Sequence, residues 1–88
     1  MANKRELKKE LNDVFANIIE AAYLQEDYGK NADNAKVEEI VDECIDAFDA
    51  LIARINKRDV EDSKKHYKDI RNDFQSNAQR LVEKVNSL

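Results

Sequence analysis

Residues 37–51 read VEEIVDECIDAFDAL. The apolar members of this stretch, Val37, Ile40, Val41, Cys44, Ile45, Phe48 and Leu51, recur every three or four positions. At 100° per residue they gather on one side of an α-helix, which the two-residue alternation of a strand cannot achieve. Six acids, Glu38, Glu39, Asp42, Glu43, Asp46 and Asp49, fall outside that apolar arc, and no Lys or Arg occurs between Val37 and Ala53. The same periodicity continues through Ile52 and Ile55, so the spacing predicts a helix over about 35–56.

Working outward, the segment Glu26–Asn34 holds the only glycine, Gly29, which suits the left-handed residue just past a helix end. Asp33 and Asn34 then suit the cap of the next helix. Before this break, Leu7, Leu11, Val14, Ile18, Ala21 and Ala22 share one face and predict a first helix over about 4–28. Asn3 and Glu6 have the spacing of a capping box at its start. After the second break, Asn56–Asp59, the residues Tyr67, Ile70, Phe74, Ala78, Leu81, Val82 and Val85 predict a third helix over about 60–86, capped by Asp59 or Asp62. Val60, Tyr67, Phe74, Leu81 and Leu88 lie seven apart, as do Val37, Cys44 and Leu51. A strict repeat of seven keeps its seam inward only under left-handed supercoiling.

Three helices of roughly 33–40 Å with short connections imply an all-α, three-helix antiparallel bundle, up-down-up, in one domain. The competing arrangement is a helical hairpin whose third helix completes its core in a dimer. The 88 residues are 42% hydrophobic and 39% charged, with one Gly and no Pro, which leaves a β-rich chain without its turns.

Several classes of function are disfavoured by what is absent. One cysteine cannot form an intrachain disulfide, no apolar run nears the roughly 18 residues that cross a membrane, and the charged stretch after Met1 does not resemble a secretion signal. The expectation is a cytoplasmic protein with no membrane association. Phosphate-cradling loops need several glycines, and a di-metal bundle site needs Glu-x-x-His, whereas Ser63 stands three before the single histidine, His66. Ser63 and His66 share a helix turn but have no strained loop or donor pocket to serve a nucleophile. Cys44 sits mid-arc and reads as a small core hydrophobe. We therefore expect no enzyme, no metal and no cofactor.

Two surfaces invite a partner. Up-down-up topology gathers the starts of helices 1 and 3 beside the end of helix 2. Lys4, Arg5, Lys8, Lys9, Arg58, Lys64, Lys65 and Lys68 meet there with Arg54, Lys57 and Arg71, so eleven cations face eight acids in a chain of net charge −4. This basic end is a candidate anion site and the basis of an alternative function, nucleic-acid association through phosphates. Against it, Lys64, Lys65 and Lys68 interleave with Glu61, Asp62 and Asp69 at helical spacing, as on an ordinary solvated face.

The other surface is on helix 1, where Phe15, Ile19 and Tyr23, four apart, form a second ridge beside the core face. Contiguous apolar surface of this kind marks contact sites. The leading expectation is therefore a small helical protein–protein interaction module, such as an adaptor, inhibitor or accessory subunit. It would bind a partner protein, or itself as a dimer, through helix 1. The acidic face of helix 2 is either a second contact surface for a basic partner or a solvated exterior.

Overall fold

The computed structural model describes residues 4–28 and 34–88. They form three α-helices: α1, Lys4–Tyr28; α2, Asn34–Ile55; and α3, Ser63–Asn86. The expected capping box at Asn3 and the break at Gly29 lie outside the described residues. All three helix pairs touch one another, and the bundle measures 49 × 18 × 16 Å.

The periodic residues build the core. Leu7, Leu11, Phe15, Ile18 and Ala22 of α1 are buried against Val37, Ile40, Val41, Cys44, Leu51 and Ile55 of α2 and Ile70, Phe74, Leu81 and Val85 of α3. No polar or charged residue is buried among the described residues, so the interior is held by apolar burial alone. Each fully buried Leu or Ile contributes on the order of 1.5–3 kcal/mol.

Surface ion pairs between the helices mark their relative placement. Arg80 and Lys84 of α3 reach Glu43 of α2, and Asp73 reaches Arg54, so the pairs run in opposite order along α2 and α3. Arg71 pairs with Glu10 of α1 at 3.6 Å. Lys4 of α1 shares a groove with residues 57–60 and with His66 and Tyr67 of α3.

The α2–α3 connection corrects one expected boundary. α3 begins at Ser63 rather than at Val60, because Asp62 is extended (φ −125°, ψ 93°) and its carboxylate accepts the Lys65 amide at 3.1 Å. That is an N-cap, and it satisfies a donor left open by the first helical turn. Val60 therefore stands in the connection, half-buried, and not at the head of the α3 heptads. Asp59 takes up the reversal of the chain at φ 59°, a left-handed conformation that Asp tolerates better than most residues. α2 closes with Asn56 N–H donating to the Ile52 carbonyl at 3.0 Å.

Candidate functional site

The ridge expected on α1 divides along its length. Phe15, expected as part of that ridge, is a core residue, only 2% exposed. Its ring meets Phe48 of α2 edge-on and lies 5.7 Å from that of Phe74 of α3. The physical reason is that α1 contacts two helices at once, so its inward arc is wide enough to take in Phe15. Ile19 is half-buried and packs on the rim of the core, and Tyr23 is exposed.

What remains of the ridge is joined by a residue from α2. Ile45 was expected inside the apolar arc, yet it is 46% exposed. It stands across from Ile19 in a groove of about 140 Å³ between α1 and α2. Phe15, Cys44 and Phe48 line its inner part, and Ala16 and Asn12 complete the α1 side. The sequence did carry a signal for Ile45: at about 100° per residue it sits at the edge of the α2 arc, next to Glu38, Asp49 and Asp42 at about 20°, 40° and 60°.

The acids of α2 divide between two environments. Glu39, Glu43 and Asp46 border the grooves shared with α3, where Arg54, Arg80 and Lys84 also lie. Glu43 is the centre of that seam. It accepts Lys84 Nζ at 2.7 and 2.9 Å and Arg80 at 3.1 Å. The Lys84 hydrogen bond, helped by Arg80, holds the Glu43 carboxyl below its ordinary value of 4.5 against a smaller opposing effect of burial. Glu38, Asp42 and Asp49 face the other way, beside Ile45, and are exposed with no ion-pair partner among the described residues.

The basic end is gathered less tightly than the sequence suggests. Lys4 and Arg58 do share a groove of about 390 Å³ with Lys57, Ser63 and His66, but Asp59 lines it too. Arg5 and Lys9 are exposed and Lys8 is half-buried on α1. Lys64, Lys65 and Lys68 are exposed on the outer face of α3 and line no part of that groove. His66 is half-buried, not on an open surface, and its Nε2–H donates to the Arg54 carbonyl at 2.7 Å. It thus closes the C-terminal end of α2, where carbonyls lack helical partners.

Cys44 is fully buried, and its thiol is pushed up to about 11, first by burial and then by the nearby Glu43 charge. Among the described residues, no three His, Cys, Asp or Glu side chains are placed to hold a metal ion. Nor is any described helix long and apolar enough to cross a membrane. A second apolar groove, between α1 and α3, is bordered by Val14, Ile18, Ala21 and the exposed Val82, with no charged side chain in its lining. Comparison with family models, with curated proteins and with solved structures finds no match for the chain.

Proposed function

We propose that the protein is a small helical interaction module of the adaptor, inhibitor or accessory-subunit kind, and that the α1–α2 groove is its contact surface. One observation carries this reading: Ile19 and the exposed Ile45 flank an apolar groove whose inner residues already belong to the core. A side chain inserted there would remove apolar surface from water on both helices, at about 25 cal/mol per Å². Tyr23 extends the same edge of α1, one turn beyond Ile19. The up-down-up order of the helices, with the left-handed wrap that the heptads imply, keeps this groove away from α3. The pairing order along α2 and α3 supports that arrangement.

A second reading, phosphate or nucleic-acid binding, is favoured by Lys4, Lys57 and Arg58 sharing one groove. It is weakened by Asp59 among them and by the outward positions of Lys64, Lys65 and Lys68.

The discriminating experiment is affinity capture from the source cells with the wild type and with Ile19→Asp/Ile45→Asp, alongside a nuclease-treated sample. The expected result is a protein held by the wild type at moderate salt and lost from the double variant, whose far-UV circular dichroism stays helical. Material released by nuclease, lost steeply with salt and indifferent to the double variant, would move the function to the basic end.

A further inference from the structure

We infer that the occupant of the α1–α2 groove is a basic amphipathic helix of another protein, laid against α2 much as α3 lies against its opposite side. This rests on the groove being the contact surface and names what fits it. The argument is the contrast between the two edges of α2. On the α3 side, Glu43 is matched by Arg80 and Lys84, which stand four apart on the neighbouring helix. On the α1 side, Glu38, Asp42 and Asp49 form an equivalent row beside Ile45, and no cation of the described chain meets them.

The spacing of that row is itself helical, four residues and then seven, over about 16 Å. A helix with apolar residues facing Ile19 and Ile45 and with Lys or Arg at matching intervals of four and seven would meet all three acids. Two devices would then act together, an apolar stripe for affinity and a charge row for register and partner choice.

A second copy is the competing occupant of this face. The cations of α1 that point toward it, Arg5, Lys8 and Lys9, lie at the end of α1 where Lys4 sits beside Lys57 and Arg58. Glu38 and Asp42 belong to the far end, alongside Ile19 and Tyr23. Parallel pairing would set unmatched acids of one α2 close to those of the other, which is unfavourable. Antiparallel pairing would bring the Arg5, Lys8 and Lys9 end of one copy to the Glu38 and Asp42 end of the other, so self-association is an outcome the test reads.

The test uses the full chain and three synthetic helical peptides of about 18 residues. All share one leucine stripe, and they carry Lys, Gln or Glu at the flanking positions of that four-and-seven spacing. Binding is read by amide chemical shifts and by fluorescence anisotropy. The expected result is that the Lys peptide binds at least tenfold more tightly than the Gln peptide, that the Glu peptide does not bind, and that the shifts centre on Ile19, Asp42 and Ile45. Raising salt from about 0.05 to about 0.5 M should weaken the Lys peptide roughly tenfold, because the charge row is exposed. Ile45→Asp should abolish binding, and Glu38→Gln/Asp42→Asn/Asp49→Asn should bring the Lys peptide to the level of the Gln peptide. Both variants change exposed residues, and a retained helical spectrum checks that they fold.

Equal binding of the Lys and Gln peptides in the groove overturns the basic partner and leaves the groove as a contact surface. Lys-peptide shifts centred elsewhere and insensitive to Ile45→Asp overturn both. A dimer of the chain alone, dissociated by Ile45→Asp in sedimentation, makes a second copy the occupant and overturns the basic helix while sparing the groove. Failure of all three peptides to bind a monomeric chain overturns the basic helix, and the capture experiment then decides the groove on its own.

Discussion

Phe15 and Phe48 meet edge-on, with ring centroids 6.3 Å apart and planes at 85°. This is a favoured aromatic geometry, worth about 0.5–1.5 kcal/mol beyond area burial. Phe15 also lies against Phe74, so one side chain of α1 ties all three helices together. Phe15→Ala should therefore lower unfolding stability by about 3–5 kcal/mol, as large aromatic truncations in cores do. Tyr23→Ala, about two turns further along the same edge, should change it by less than about 0.5 kcal/mol. Urea unfolding of both variants measures the contrast, and a small loss for Phe15→Ala would place that ring outside the core.

The Glu43 seam carries a pH dependence with a defined sign. Its carboxyl is held below the ordinary value of 4.5 by Lys84 first and Arg80 next. The stabilisation is present above the unfolded-state value and is lost as the pH falls through the lowered folded one. Glu43→Gln should thus be less stable than the wild type at pH 7, and the two should converge as the pH falls below the ordinary 4.5 and through the lowered folded value, where the wild-type carboxyl takes up its proton. Lys84 and Arg80 are substantially exposed, so the gap at pH 7 should be modest, about 1 kcal/mol or less. Thermal melts across that range test it, and a constant gap would detach the ion pairs from folding.

Cys44 supplies a probe of opening. The thiolate is the reactive species, and this thiol is both fully buried and raised to about 11. At pH 8 the native protein should react with Ellman's reagent at least about a hundredfold more slowly than the urea-unfolded chain. Above the ordinary thiol value of 9.0, stability should decline with rising pH, because the unfolded thiol ionises first and the folded one only near 11. Rapid native labelling would show that the middle of α2 opens freely.

Reading the sequence located the helices and most of the core because both follow from one-dimensional spacing. Val37, Cys44 and Leu51, or Phe74 and Leu81, have no other face on which to be buried. The proposed contact surface was less legible. Whether Phe15 or Ile45 is the buried residue depends on how far each helix turns toward its two neighbours, and spacing alone leaves arc edges undecided. The division of the α2 acids was hidden for the same reason, since only the packed bundle sets Arg80 and Lys84 against Glu43 and leaves Glu38, Asp42 and Asp49 on the other side. The outward positions of Lys64, Lys65 and Lys68 were more legible, in their interleaving with Glu61, Asp62 and Asp69.

The turn between α2 and α3 yields a prediction that separates backbone strain from charge. Asp59 holds φ at 59°, where a Cβ is disfavoured, while two neighbouring contacts fix the corner: Asp62 caps α3, and His66 donates to the Arg54 carbonyl. Glycine reaches this conformation without steric penalty, at the expense of a more flexible unfolded chain. Asp59→Gly should therefore stabilise the protein by about 0.5–1 kcal/mol. Asp59→Asn, which removes the charge but tolerates the left-handed region equally, should be close to neutral. Asp59→Val, β-branched, should destabilise by about 1–2 kcal/mol. Chemical denaturation of the three variants in parallel gives the order Gly, Asn, Val from most to least stable. If Asn and Gly gained equally, the charge of Asp59 beside Lys57 and Arg58, and not its backbone, would be what the turn responds to.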